Sequence, residues 1–354
     1  MSEAIAGPAL AAFATAAILA LVLTPIVRRI AHRFDVLDRP EERRVNTSPV
    51  PRGGGIAVAA AFVITALGLL VADARFGFWP AQDAPVASEI VALIGGAALA
   101  ALIGSLDDWF DLRARWQLAG QVVLAGVAVG LGITVTLLAN PFGPGFIHLS
   151  GVFEAAFAVL WILGMINSIN FIDGLDGLSS GVALIAALTL GTISLTGPID
   201  QPAIALFCFA LAGALLGFLR WNLHPASIFL GTSGVMVIGY VLALLSILGS
   251  AKVAVALLVL GVPIIDTFWI IVRRLSEGRS PFSPDRGHIH HRLLDLGLSH
   301  AETVLVIYAV CIALAVLSLV LSGTGQLYAF LGVFVIFGLG LYLLSRAAGG
   351  DDAA

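Results

Sequence analysis

Residues 8–27 read PALAAFATAAILALVLTPIV, with Glu3 before them and Arg28-Arg29 immediately after. About 20 apolar residues are enough to cross the hydrocarbon core of a bilayer as a helix. A secretory leader carries its positive charge ahead of the apolar stretch, not behind it. The run is therefore expected to be a retained first helix with its N-terminus outside. Ten further runs repeat the pattern, at 53–72, 90–106, 118–138, 155–169, 178–196, 203–219, 234–249, 253–272, 304–321 and 327–344. The fifth, 155–169, is the weakest, because its apolar core ends at Asn167. The expected fold is all-α: a polytopic membrane protein with about eleven transmembrane helices and a cytoplasmic C-terminus.

Composition agrees. Of 354 residues, 59% are apolar and 11% are charged, less than half the ~25% charge of soluble domains. The 39 glycines suit membrane helices, which tolerate glycine better than soluble ones do. A net charge of −4 gives no reason to expect a nucleic-acid partner. Cys208 and Cys311 both lie in apolar runs, which excludes a disulfide framework or a cysteine metal cluster.

Charge asymmetry fixes the orientation. With the N-terminus outside, the cytoplasmic segments are 28–52, 107–117, 170–177, 220–233, 273–303 and the tail after 344. They hold sixteen of the eighteen Lys and Arg residues, leaving only Arg75 and Lys252 on the other side. No linker or repeat divides residues 1–354, so one membrane domain is expected. Residues 346–354 read as a short disordered tail, and the outer loop Pro141–Val152 as a small hairpin around Phe146–Leu149.

The few polar clusters fall on the cytoplasmic side: Asp107-Asp108, Asn167–Asp176, Asn222–Thr232 and Arg273–Arg292. Their convergence on one membrane face points to a single active site. Adjacent carboxylates repel, and a divalent cation such as Mg²⁺, held by one or two carboxylates plus substrate phosphates, is the usual reason for pairing them. The plainer reading is a solvated loop with an Asp111–Arg115 pair. Asn167, Asn170, Asp173 and Asp176 recur every third residue, forming one polar stripe if helical. Such a stripe faces a cavity, or else serves as polar glue between helices.

Arg273, Arg274, Arg279, Arg286 and Arg292 surround His288, His290 and His291. Guanidinium groups suit phosphate oxygens, and the histidines among them favour an anion over a cation. A zinc site on the three histidines and a merely basic loop are the alternatives. In the first loop, Arg43-Arg44-Val45-Asn46 leads to Arg52 and Gly53-Gly54-Gly55, which offer either backbone amides to a phosphate or close helix packing. Asp266, inside the ninth run, is a functional candidate or the partner of a neighbouring arginine.

These strings resemble the polyprenyl-phosphate N-acetylhexosamine-1-phosphate transferases, and within them the bacterial branch that starts O-antigen, enterobacterial common antigen or teichoic-acid synthesis. The resemblance covers Asn46–Gly55, Asp107–Gln121, Asn167–Gly177, His224–Gly234 and Pro263–Leu294. It implies transfer of a sugar 1-phosphate, GlcNAc-1-phosphate by default, from a UDP-sugar to undecaprenyl phosphate at the bacterial cytoplasmic (inner) membrane. UMP is released and Mg²⁺ is required, with Mn²⁺ as a substitute. Carried over by position, Asp107, Asp108, Asp173 and His290 are the catalytic candidates. Arg52, Asn167, Asp173, Asp176, Arg279, His288, His290 and His291 are the substrate candidates. Asp107, Asp108, Asn170 and Thr232 are the metal candidates. The partners implied are the UDP-sugar, the lipid phosphate and the bilayer, with a homodimer admitted.

Two positions depart from the resemblance. In Phe229-Leu230-Gly231-Thr232-Ser233-Gly234 a threonine stands where the family has a metal-binding Asp, and Gln117 stands where a Lys usually follows the acidic pair. Both changes remove charge. They keep open a non-catalytic alternative, a protein of this descent that binds or transports a polyprenyl phosphate or nucleotide sugar.

Overall fold

The computed structural model describes residues 2–39, 49–79, 85–140, 142–143, 145–196, 201–249, 252–280 and 287–350. It is built almost entirely of helices: α1 Ser2–Arg33, α2 Gly55–Phe76, α3 Ala87–Ile90, α4 Gly96–Phe110, α5 Ala114–Gly130, α6 Val152–Ile172, α7 Leu178–Thr196, α8 Pro202–Asn222, α9 Gly231–Leu248, α10 Val253–Val259, α11 Gly261–Ser276, α12 Ile289–Asp295, α13 His300–Val320 and α14 Thr324–Gly350. A π-helical turn, Val91–Gly95, joins α3 to α4. Two antiparallel pairs of short strands complete it, β1 Leu37–Asp38 with β2 Val50–Pro51 and β3 Leu137–Ala139 with β4 Phe146–His148. The second pair takes β4 from the outer loop where a hairpin was expected, but its partner β3 precedes that loop and begins within the run 118–138 expected to be a span.

Among the described residues, eight helical segments are long and apolar enough to cross a membrane, counting α3, the π turn and α4 as one (Ala87–Phe110). They become nine if α10 and α11 form one span bent by 79°. The bend falls where Gly261 and Pro263 interrupt the ninth run, since proline removes a helical hydrogen bond and clashes with the preceding turn. The remaining two apolar runs are shorter helices. α5 has 17 residues and stops at Gly130, after which Ile133–Leu138, rich in β-branched residues, feeds β3. The other is Thr324–Gly340, within α14. α14 itself continues to Gly350, so residues 346–350 of the expected tail are helical, as Ala347-Ala348 favour. Residues 351–354 lie outside the described residues.

The bundle is organised around α8 and α9, whose spanning windows are 83% and 78% buried against 22% for α1. α1 and α7 pack on α8, while α4 and α6 pack on α9. Small residues set the close approaches: Gly55 of α2 meets the backbone of Gly234, and Gly104 of α4 meets that of Ser233. Such contacts are how membrane helices gain packing energy where lipid offers no hydrophobic drive. They bring the ends of α2, α4 and α9 together at one end of the bundle. There the first loop is stitched to the α8–α9 loop by Gly54 N to Phe229 O (3.0 Å), Gly55 N to Leu230 O (2.8 Å) and Phe229 N to Pro51 O (2.8 Å).

Candidate active site

A cavity of about 440 Å³ opens at this end of the bundle. Its wall includes Arg52 of the first loop together with Asp108, Asn170, Asp173, Asp176, Thr232 and His291, which come from all four polar clusters singled out in the sequence. Asp107, Asn167, Arg279, His288 and His290 are not among the lining residues. Arg43, Arg44, Asn46, Asp285 and Arg286 lie outside the described residues.

The acidic pair closes the last turn of α4, and both carboxylates are buried. Asp108 Oδ1 accepts from Thr232 N (2.7 Å) and Oδ2 from Ser233 N (3.1 Å), the first amides of α9. An anion on a helix N-terminus meets both free N–H groups and the positive end of the helix dipole. Gly231 makes this possible: its φ is +74°, and a Cβ there would fall 2.6 Å from Asp108 Oδ1. Asp107 is held differently. Its Oδ2 accepts from the Thr232 hydroxyl (2.6 Å), and its Oδ1 from Gln117 Nε2 (2.9 Å) and Leu112 N (3.1 Å). Hydrogen bonds thus hold the adjacent acids together without requiring a cation for that purpose. Asp111 approaches Arg52 across the cavity rim (3.6 Å).

The Asn/Asp stripe is helical only in part. Asn167 and Asn170 lie on α6, which ends at Ile172; Asp173 caps it, and Asp176 sits in the turn before α7. Asn167 points at its neighbours, donating to Gln121 Oε1 (2.7 Å) and Leu163 O (2.7 Å), which is the polar-glue reading for that residue. Asp173 accepts from the Ser179 hydroxyl. Burial, reinforced by the charges of Asp108 and Asp176, pushes its carboxyl up to about 7, against the lowering effect of Ser179. Asp176 Oδ2 meets His224 Nδ1 (2.7 Å) and accepts from Ala226 N (3.1 Å).

The histidine segment docks by a buried acid. Asp266, fully buried on α11, accepts from His288 Nδ1 (2.8 Å) and Ile289 N (2.9 Å), so its partner is a histidine and not an arginine. That contact occupies Nδ1 and leaves Nε2 as the other ring nitrogen of His288. The His288 ring packs against Phe171 (5.4 Å) and stacks on His290 (5.6 Å). His290 lies behind the cavity against Gly174, where a Cβ would come within 2.9 Å of its Cε1. Burial, and then the neighbouring imidazoles, push His290 down to about 3, so it is neutral at physiological pH. It cannot supply the positive charge expected of an anion-binding histidine cluster. Arg279 pairs with Glu277 (3.1 Å) at the end of α11.

Three residues of the site were not picked out individually from the sequence. Asn222 ties the Asp176 turn to α8, its Oδ1 accepting from Gly177 N (3.2 Å) and the Ser180 hydroxyl (2.7 Å). His224 and His300 both line the cavity, their rings stacked at 4.1 Å. The signal for His300 is the capping box Ser299-x-x-Glu302, which starts α13 and sets His300 at its first helical position.

Fold and site together define a multi-pass membrane protein with an acid-lined cavity at one end of its helical bundle. A family model described as glycosyl transferase family 4 matches residues 90–250. The chain is 34% identical to a probable undecaprenyl-phosphate N-acetylglucosaminyl 1-phosphate transferase of Bacillus subtilis, over 94% of this chain and 89% of the relative. It is 35% identical to a decaprenyl-phosphate N-acetylglucosaminephosphotransferase of Mycolicibacterium smegmatis, over 96% and 89%. A Thermotoga maritima undecaprenyl-phosphate alpha-N-acetylglucosaminyl 1-phosphate transferase is 32% identical, over 90% and 92%. The chain belongs to glycosyl transferase family 4, the polyprenyl-phosphate N-acetylhexosamine-1-phosphate transferases.

Proposed function

We propose that this chain transfers N-acetylglucosamine 1-phosphate from UDP-GlcNAc to undecaprenyl phosphate and releases UMP. The reaction is set at the cytoplasmic face of a bacterial inner membrane, with the N-terminus outside, and it begins a cell-envelope polysaccharide. The observation that carries this reading is the one cavity that gathers Arg52, Asp108, Asn170, Asp173, Asp176 and His291 from separate segments.

The lipid phosphate has a second pKa near ~6, so its attacking oxygen is mostly deprotonated at neutral pH and needs no strong base. That oxygen bonds to the β-phosphorus of the donor as the bond to the α–β bridging oxygen breaks, and the electron pair leaves with UMP. The obstacle is crowding anions together, so positioning and electrostatics carry the catalysis. Asp108, Asn170, Asp173 and Thr232 offer oxygen donors only, the set a hard cation takes. Three acids, Asp108, Asp173 and Asp176, share this one cavity wall, a concentration of carboxylates that fits Mg²⁺, or Mn²⁺ in its place. Bound there, Mg²⁺ supplies charge neutralisation of the diphosphate. Arg52 and His291 meet substrate phosphates from the wall, and Asp176 and His224 form the nearby polar corner. Asp107, its carboxylate already taking three hydrogen bonds, serves by holding Thr232 and the end of α4 in place rather than by deprotonating the acceptor.

Purified protein given UDP-GlcNAc, undecaprenyl phosphate and Mg²⁺ should release UMP and form the lipid diphosphate sugar, and Asp108→Asn should abolish both. Trapping a covalent sugar-phosphate enzyme without lipid would overturn direct attack. Thr232 favours one second reading, a carrier-binding protein without turnover: its neutral hydroxyl stands where the resemblance expects a metal-binding acid. Such a protein would bind UDP-GlcNAc or the lipid with no UMP released.

A further inference from the structure

One cluster on the cavity wall has the wrong chemistry for Mg²⁺ and the right chemistry for a softer ion. Asp176, His224 and His300 each offer one ligand atom, and the three atoms lie within 4.8 Å of one another. They come from three separate segments: the α6–α7 turn, the α8–α9 loop and the first turn of α13. Their mutual order is visible without any ion. His224 Nδ1 meets Asp176 Oδ2 at 2.7 Å, His300 Nε2 lies 3.4 Å from Asp176 O, and the two rings are tilted by only 21°. His300 Nδ1 is buried with no hydrogen-bond partner among the described residues. A buried imidazole nitrogen left without a partner loses the hydrogen bond that water would give it, unless something else takes its lone pair or proton.

We propose that Asp176, His224 and His300 bind a transition-metal ion of the Zn²⁺ class, with the fourth position open to the cavity. Two imidazoles and one carboxylate around an open position are the donor set of open zinc sites, with metal–nitrogen distances of about 2.0–2.1 Å. Ligand atoms around a tetrahedral ion of that size stand ~3.3 Å apart, so the cluster closes on the ion through shifts of about an ångström. His224, with its side chain 49% exposed, has the freedom to make them. Imidazole donors select borderline ions over Mg²⁺ and Ca²⁺, whose preference is for oxygen. The cavity thus carries two ligand sets of different hardness, and this one is defined by its own geometry and not by the proposed transfer.

The test is a Co²⁺ titration of untagged, full-length, chelator-treated protein in detergent, read by visible d–d absorption, with Zn²⁺ as the displacing ion. One Co²⁺ per chain should bind and be displaced by Zn²⁺. His224→Gln and His300→Gln should each weaken binding at least ~100-fold, beyond the roughly 10–100-fold cost of losing an outer partner. Asp108→Asn and His148→Gln should leave the titration unchanged. His224→Cys should restore binding and add a thiolate charge-transfer band, which separates ligand loss from misfolding. No 1:1 band in the native protein, or a band indifferent to both histidine substitutions, would overturn the site.

Discussion

Thr232→Asp puts an acid where the family resemblance expects one, and the structure says what that costs. The native hydroxyl donates to Asp107 Oδ2 at 2.6 Å, so the new carboxylate enters beside a buried one. Two unit charges ~4 Å apart cost about 4 kcal/mol at an effective dielectric near 20. The protein can instead protonate one of them. Keeping a carboxyl of ordinary pKa ~3.9 neutral at pH 7 costs about 1.4 kcal/mol per unit over ~3 units, again about 4 kcal/mol. At pH 5.5 the second route costs only about 2 kcal/mol. The sign follows: the native state of the variant binds the extra proton more tightly than the unfolded state does, so its stability deficit shrinks as pH falls. Unfolding of the detergent-solubilised protein in EDTA should therefore show a large deficit at pH 7.5, roughly halved at pH 5.5. Mg²⁺ should remove much of it, because the new acid becomes a ligand. Adding Gln117→Lys should recover stability beyond additivity by ~1 kcal/mol or more, since residue 117 donates to the other oxygen of Asp107. A variant as stable as the native protein in EDTA at pH 7.5 would refute the reasoning.

Other expectations follow from the same geometry. Gly174→Ala places a methyl within 2.9 Å of His290 Cε1 and closer still to Nε2; overpacking of this kind costs about 1–3 kcal/mol. UMP release should fall by ~100-fold if the Asp173–Asp176 turn is displaced by about an ångström, and a variant with full turnover would show the turn to be more tolerant. Asp266→Asn weakens the charged hydrogen bonds to His288 Nδ1 and Ile289 N, worth about 1.5–3 kcal/mol each. It should lower turnover with the Michaelis constant for UDP-GlcNAc little changed, whereas a parallel loss of donor affinity would place Asp266 in substrate binding. His290, held down to about 3, cannot take the proton that its unfolded counterpart takes below ~6.5. Stability should be intact above ~6.5 and fall below it by up to about 1.4 kcal/mol per pH unit. His290→Gln should flatten that acid limb in pH-resolved unfolding.

Much of the architecture was legible because a bilayer imposes a length and a polarity that a sequence displays openly. The runs read as spans are helical over most of their length, and one strand of the hairpin, Phe146–His148, announced itself by the glycine and proline punctuation around it. The bend at Gly261 and the early stop of α5 were hidden, because mean apolarity is blind to a broken helix and to β-branched residues inside an apolar run. In the site, the polar clusters did converge, but their members differ in ways spacing cannot show. Asn167 and Asn170 are one helical turn apart, yet the first is spent on Gln121 and the second faces the cavity. His290 and His291 are adjacent, and only His291 reaches the wall. Burial decides these cases, and burial belongs to the packing of helices distant in the chain.

The two departures at positions 117 and 232 looked unrelated in the sequence, since a long stretch of chain separates them. In the fold they meet on one carboxylate: Gln117 donates to Asp107 Oδ1 and Thr232 to Oδ2. Relative to the resemblance, one position loses a positive charge and the other a negative one, so the net charge around Asp107 is unchanged. Two neutral donors then do for Asp107 what a lysine beside a second acid would otherwise have to balance. A lone Gln117→Lys should accordingly be tolerated better than a lone Thr232→Asp, because it pairs a buried anion instead of crowding it. The substitutions are best understood as one exchange, in which an ionic arrangement around Asp107 gives way to a hydrogen-bonded one. That exchange leaves Asp108, seated on the first amides of α9, as the member of the acidic pair that still faces the cavity.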